Sequence, residues 1–498
     1  MAQSNFDLIV IGSGPAGQKA ALQASKLGKR VALIDKRAMI GGVCIHTGTI
    51  PSKAIREAVL HLSGIREREM YGADYAVKHE ITMADLLHRA HHVVRCETQV
   101  IHDQMRRNNI ELLFGEASFV DPHTIAIRQG DDETIVRGDN ILVAVGTNPA
   151  RPSGVPFTPG VVVDSNELLT LTKLPRELIV VGGGVIGTEY AAMLAAAGVR
   201  VTLIEGRGRL LEFVDAELAE VLQFRLRDMG IRLKLNEKVD KIEVLGKKGR
   251  RKSDGPNVPP HVKATLASGK VLRADCLLYC IGRQGATDVL DLAKAGLQVD
   301  KRGRVTVNEF YQTDAGHIYA AGDVIGFPAL AATSMEQGRR AACHMFKHLP
   351  DSGDYEGRSD LMPYGIYTIP EISMVGKSEQ QLSEEQVPYE VGIARFREIA
   401  RAQLMSDTNG MLKLLFHPDS RRLLGIHAIG TGATEIVHIG QTVMAAGMPI
   451  DYFVETVFNY PTLAECYKVA ALDGLNRVRR WDAPTMFEEL TPAEKKAA

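Results

Sequence analysis

A chain of 498 residues exceeds one ordinary domain and points to about three. Its 59 Lys and Arg against 60 Asp and Glu leave a formal charge of −1, which excludes nucleic-acid binding driven by phosphate neutralisation. A 45% hydrophobic and 24% charged make-up excludes wholesale disorder, and no apolar run reaches the roughly eighteen residues of a membrane span. The start, MAQSNFDLIVIGSG, lacks the basic lead and cleavage site of a signal peptide, and its apolar run passes straight into a glycine turn. Six cysteines are scattered along the chain without a disulfide framework, and a thiol-reducing cytoplasmic setting is expected. Cys276 and Cys280 read as buried core thiols on one face of a strand.

The first recognisable unit spans residues 6–36. An apolar, β-branched run leads into Gly12-x-Gly14-x-x-Gly17, an Ala-rich helical stretch, and a second apolar run ending in Asp35 and Lys36. This is the βαβ unit of a dinucleotide-binding fold. The first glycine makes the turn, the second lets backbone approach a pyrophosphate, and the third allows close helix–strand packing. Asp35 stands where a carboxylate accepts ribose hydroxyls. The segment 81–114 shows apolar residues at helical spacing among charges and is expected to form one long surface helix. His91 and His92 on it lack a second ligand pair, so they read as exposed helix residues and no metal is expected.

RPSGVPFTPG, 151–160, is a Pro/Gly crossover between domains. Residues 177–206 then repeat the first unit, with Gly182-x-Gly184-x-x-Gly187 and the terminal acid Glu205. Two such units imply two dinucleotides, one flavin held permanently and one nicotinamide nucleotide that visits. Glu205 favours the free ribose of NAD(H). Arg207 and Arg209 read either as solvated loop cations or as partners for the 2′-phosphate of NADP(H). The basic run in 243–270 reads as a solvated hairpin tip. Beyond a polar connection at 349–360, alternating strands and helices suggest an α+β domain. The closing TPAEKKAA is too short for an isolated helix and reads as a frayed tail.

GGVCIHTGTIPSK at 41–53 resembles the flavin-side segment of the flavoprotein pyridine nucleotide-disulfide oxidoreductases. AVGT (Ala144–Thr147), Gly282-Arg283 with Thr287, and TDAGHIYAAGD (Thr313–Asp323) resemble further motifs of that family. The resemblance implies an α/β fold of two Rossmann-like domains, for FAD and NAD(P), and a C-terminal α+β dimerisation domain. The expected boundaries are 1–150 and 283–350 for the FAD-binding parts, 151–282 for NAD(P), 351–478 for dimerisation and 479–498 for a tail. It also implies one FAD per subunit and a homodimer or larger homo-oligomer, with no nucleic-acid or membrane partner. Cofactor contacts would come from Gly12, Gly14, Gly17, Asp35, Lys36, Gly42, Cys44, Thr49, Lys53, Gly146, Gly322 and Asp323 for FAD. For the nucleotide they would come from Gly182, Gly184, Gly187, Glu205, Arg207 and Gly282.

Two departures from the disulfide reductases stand out. The second cysteine of their Cys-x4-Cys is Thr49 here, and the histidine of their HPT-x-x-E is Tyr460, in Asn459-Tyr460-Pro461-Thr462-Leu463-Ala464-Glu465. A hydroxyl supplies no thiolate, and a phenol with a pKa near ~10 does not replace an imidazole. Both departures resemble the soluble pyridine nucleotide transhydrogenase branch, as do GIYTIPEIS, VPYEVG, EIVHIGQ and VAALDGLNR. That resemblance implies hydride exchange, NADPH + NAD⁺ giving NADP⁺ + NADH, by a ping-pong route without an active-site disulfide. NAD(H) and NADP(H) would be substrates, and Lys53 paired with Glu189 the catalytic residues. A flavin-dependent NAD(P)H:quinone reductase and a nucleotide-binding sensor or assembly flavoprotein stand beside this reading. Cys44 reads as a reactive thiol or as a small packed residue, His46 as a local loop residue, and Tyr460 as a cap on the partner's pocket or as filler.

Overall fold

In a computed structural model, residues 4–36, 39–247, 258–348 and 361–482 are described. The tip of the basic hairpin, the connection at 349–360, the TPAEKKAA segment and the Trp481 side chain lie outside them.

Two parallel sheets carry the two glycine turns. The first runs in the order Glu111–Phe114, Val31–Asp35, Ser4–Ile11, Asp132–Val143, with Ile318–Ala320 pairing the inner end of the last strand. Ile9 pairs with Ala32 on one side and Ile141 on the other. At the centre of the sheet, residues 8–11 and 31–34 are buried on both faces, which is why they read as continuous apolar runs rather than alternating ones. Two antiparallel strands, Glu116–Asp121 and Thr124–Gln129, extend the sheet. The second sheet is parallel throughout, in the order Arg232–Lys234, Arg200–Ile204, Glu177–Val181, Cys276–Tyr279, Val162–Val163.

The chain passes between the two sheets twice, and the passages pair as a short antiparallel ribbon of Thr147–Pro149 with Arg283–Gly285. Arg283 fastens it, donating from Nε to Thr147 Oγ1 and from Nη2 to Thr147 O, both at 2.7 Å. Burial holds the Arg283 guanidinium below its ordinary pKa, and Asp323 is among the acids that oppose the shift.

A three-stranded antiparallel sheet, Val239–Lys247, Val258–Leu266 and Val271–Ala274, brackets the basic run. The last unit is a five-stranded antiparallel sheet in the order Tyr364–Ile366, Ile372–Gly376, Leu423–Ile429, Met411–Phe416, Glu390–Arg395. Helices Ala433–Ala445 and Glu465–Asp482 pack against it.

That sheet is tied to the second Rossmann unit by a buried charge cluster. Lys413 lies in a fully buried strand, with Nζ 2.9 Å from Asp215 Oδ1, 3.1 Å from Glu217 Oε2, and bonded to Glu379. Asp215 caps helix Ala216–Asp228 and also accepts the Glu379 N–H. Removing Lys413 or Asp215, the two fully buried members, costs about 3–5 kcal/mol, because the partner keeps an uncompensated charge. The three carboxylates are close enough to hold a metal ion, but the Lys413 ammonium already bridges them.

Two expectations are corrected. The long helix spans Met83–Arg107, opened by a Thr82–Asp85 capping box, and does not continue to 114. Asn108 and Asn109 interrupt it, and Glu111–Phe114 joins the first sheet beside Val31–Asp35, so sheet pairing overrides the helical period there. Cys276 lies in a strand, its thiol pushed up to about 12 by burial, but the strand ends at Tyr279 and Cys280 follows it. His91 and His92 stand exposed on the long helix, as expected.

Candidate functional site

The two glycine turns obey the same steric rules. Gly12 and Gly182 sit at φ +104° and +111°. A Cβ on Gly12 would stand 2.4 Å from Ala144 O, and one on Gly182 3.0 Å from Cys280 O. In both units, then, the turn abuts the first carbonyl past the end of the neighbouring parallel strand. A Cβ on Gly17 would lie 1.9 Å from Gly12 O, and one on Gly187 2.0 Å from Gly182 O, so each helix closes on its own turn. Gly14 and Gly184 differ from these. Their φ values, −64° and −77°, suit any residue, and a Cβ on either meets no protein atom within 4 Å. The fold does not need glycine there. The bare backbone at each helix N-terminus leaves the space a diphosphate requires.

One cleft gathers residues from remote parts of the chain. Gly12, Gly14, Asp35, Lys36, Gly42, Cys44, Thr49, Gly146, Gly322 and Asp323 all line it. Gly17 packs behind the turn. Asp35 accepts from the Ser13 N–H at 2.7 Å and from the Ser13 hydroxyl, which also accepts the Gly41 N–H at 2.9 Å. Burial raises the Asp35 carboxyl above its ordinary pKa, against the lowering effect of the Ser13 bonds. Burial likewise raises Asp323, opposed by Arg283 and Thr147. Lys36 Nζ reaches Glu116 at 3.1 Å on the cleft's lip.

Cys44, which lines the cleft together with Thr49, lies on the short helix Gly42–His46. Burial pushes its thiol up, so it stays protonated, and all six cysteines are free. His46 is tied to Ile40 O at 2.8 Å, in keeping with a local loop role.

Thr49 opens helix Thr49–Ser63, and Lys53 follows one turn later. Lys53 Nζ meets both oxygens of Glu189, at 3.1 and 2.9 Å, and stands 4.8 Å from the Tyr367 ring centroid. Glu189 is 5% exposed and also accepts the Tyr367 N–H at 2.8 Å. One turn further, Arg56 donates to Thr368 O at 3.0 Å and pairs with Glu371 at 3.2 Å. A single helix thus joins the first unit, the second unit and the C-terminal sheet. Ser13, Arg56, Tyr367 and Glu371 escaped the sequence reading. Only Arg56 carried a signal, its place one turn after Lys53.

At the second turn, Glu205 accepts from Gly183 N at 2.7 Å, Arg207 N at 2.9 Å, and Arg207 Nε and Nη2 at 2.9 and 3.1 Å. Burial favours the neutral acid, but these bonds outweigh it and hold Glu205 below the usual carboxylate range. Gly282 comes just before the crossover ribbon, where a Cβ would be 3.8 Å from Ala150. Tyr460 is 73% exposed on this chain.

Residues 6–338 match the pyridine nucleotide-disulphide oxidoreductase family, and residues 362–471 match its dimerisation domain. The chain is 51% identical over 476 residues to the soluble pyridine nucleotide transhydrogenase of Mycobacterium bovis, covering 95% of this chain and 98% of that one. It is 44% identical to the protein of that name from Photobacterium profundum, covering 95% and 98%. Among solved structures, LpdA from Mycobacterium tuberculosis aligns with a TM-score of 0.83 at 25% identity, covering 96% of this chain and 100% of LpdA. The HOCl-induced flavoprotein disulfide reductase RclA from Escherichia coli aligns with a TM-score of 0.80 at 29% identity, covering 94% and 99%. Paired glycine turns, a cleft assembled around the first, and family matches over both the nucleotide-binding and dimerisation regions lead to one conclusion: the chain belongs to the pyridine nucleotide-disulphide oxidoreductase family.

Proposed function

We infer that the protein is an FAD-dependent soluble pyridine nucleotide transhydrogenase, exchanging hydride between NADPH and NAD⁺ by a ping-pong route without an active-site disulfide. The observation that carries this reading is that Thr49, a hydroxyl residue, lines one cleft with the free thiol of Cys44, with the Lys53–Glu189 pair intact one turn away. A dithiol has no second sulfur here, while the charge pair between the two units remains. The names of the relatives point the same way.

The cleft around Gly14 suits the first dinucleotide, with the helix N-terminus facing the diphosphate and Asp35 accepting ribose hydroxyls. FAD, when bound, supplies two-electron hydride acceptance and donation. The protein's part is positioning and charge. Asp323, held with Thr147 and Arg283, presents a buried acceptor to the cleft. Lys53, fixed by Glu189 and the Tyr367 ring, keeps a cation one turn from the cleft wall, where developing negative charge is stabilised. Glu205 takes the ribose of the visiting nucleotide and Gly184 its diphosphate.

On this reading residues 1–150 and 283–350 hold FAD, 151–282 hold NAD(P) and 351–478 join two copies. Val457 and Tyr460, 90% and 73% exposed, then offer apolar surface to the partner.

The test is anaerobic. Purified FAD-loaded protein is mixed with NADPH and thio-NAD⁺, and thio-NADH formation is compared with reduction of a benzoquinone. Thio-NADH forming faster than quinone is reduced supports the transhydrogenase. Flavin reduction with quinone turnover but negligible thio-NADH replaces it with a quinone reductase. No flavin reduction leaves only a binding role.

A further inference from the structure

Arg207 does not hold Glu205 alone. Its Nη1 also reaches Glu212 Oε2 at 3.3 Å, so one guanidinium spans two carboxylates. Arg209 stands beside this pair and donates from Nη2 to the Glu212 carbonyl at 2.9 Å, while its buried Nε has no hydrogen-bond partner. The four side chains sum to zero charge, with Glu205 and Glu212 against Arg207 and Arg209. Glu205 is 8% exposed and Glu212 61% exposed, so the inner acid is fixed and the outer one faces the solvent from which a nucleotide arrives.

We propose that Glu212 is a specificity-determining residue, an internal anion that occupies Arg207 and sets the discrimination between NADP(H) and NAD(H). This rests on the second glycine turn receiving the pyridine nucleotide, as proposed above. The ribose hydroxyls of NAD(H) need an acceptor, which Glu205 is, and they leave the Arg207–Glu212 contact undisturbed. A 2′-phosphate brings a charge of about −1.5 to −2 to the neighbourhood of Glu205. It meets a cluster that is already neutral and a carboxylate one guanidinium width away. For the phosphate to gain Arg207, Glu212 must release it. Glu212 adds little to stability, as expected of an exposed ion pair. Its effect falls on the incoming dianion, which Arg207 and Arg209 attract and Glu212 repels.

The test uses oxidised, FAD-loaded protein and isothermal titration with NADP⁺ and NAD⁺. Glu212→Gln lowers the ratio of the NADP⁺ Kd to the NAD⁺ Kd on the order of tenfold at low ionic strength, and the gain shrinks as salt is added. Glu212→Asp, which keeps the charge, stays near the wild-type ratio, and Arg207→Gln raises the ratio. If both nucleotides bind but Glu212→Gln leaves the ratio within about twofold of wild type, the role of Glu212 is overturned and the proposed function stands. A Glu212→Asp ratio that matches Glu212→Gln overturns the charge argument. If wild-type protein binds neither nucleotide, the functional reading fails and takes this inference with it.

Discussion

The two glycine turns are built to one backbone specification yet serve their acids differently. Gly12 and Gly182, and Gly17 and Gly187, are required by the same close approaches, while Gly14 and Gly184 are required by neither. At the first turn, Asp35 is held by a neutral hydroxyl and a backbone N–H from Ser13, and its cleft is completed by segments near residues 42–49, 144–148 and 321–334. At the second, Glu205 is held by a cation from its own loop, Arg207, itself shared with Glu212. Burial therefore wins at Asp35 and raises it, whereas the Arg207 and backbone bonds win at Glu205 and lower it. A cleft that draws its walls from distant parts of the chain suits a resident ligand. An acid with local, charged and exchangeable partners suits a ligand that comes and goes.

The sharpest way to break this comparison is to damage each turn separately. Gly17→Ala and Gly187→Ala each place a methyl within about 2 Å of a carbonyl oxygen, an overpacking that costs about 1–3 kcal/mol or more. The first variant is expected to melt earlier and to purify with less than one flavin per chain. The second keeps its flavin absorbance but is not reduced by NADPH. Flavin loss in the second and not the first would reverse the assignment of the two sites.

The next effect concerns the contact between the units. Lys53→Met is expected to slow flavin reduction by NADPH on the order of 10²-fold in stopped-flow measurements, with Lys53→Arg recovering part of it. A Lys53→Met rate within about threefold of wild type would make the Lys53–Glu189 pair a structural link only.

The smallest effect is in acid. Glu205, lowered in the fold, contributes stability that is present above its ordinary value of 4.5 and is lost as pH falls through the folded pKa. Asp35, raised in the fold, acts in the opposite sense: its contribution is full below 3.8 and is lost as pH rises through the folded pKa. Thermal melts of the flavin-free chain from about pH 6 to pH 3 should therefore fall less steeply for Glu205→Gln than for wild type, and more steeply for Asp35→Asn. Slopes that move in the same direction would remove the electrostatic distinction between the two turns.

Much of this was legible in the residues themselves. Glycine spacing after apolar β-branched runs identified both turns, since few side chains tolerate those φ values and close approaches. The substitutions at Thr49 and Tyr460 pointed away from dithiol chemistry without any structure. The helix read over 81–114 failed because Glu111–Phe114 carries an apolar run that a short strand shares with a helical turn. Gly282 lay in a recognisable motif, and its place just before the ribbon strand Arg283–Gly285 was not legible in the sequence.

Local chemistry along the chain determined the two dinucleotide turns, their terminal acids and the missing second cysteine, because each depends on residues a few positions apart. Which charges meet was decided only by tertiary structure. Lys53 meets Glu189 across 136 positions, the Arg56 guanidinium meets the Thr368 carbonyl across 312, and Lys413 meets Asp215 across 198. No periodicity encodes such pairings. They arise where burial brings the elements together and a charge taken out of water must find its partners among the groups opposite.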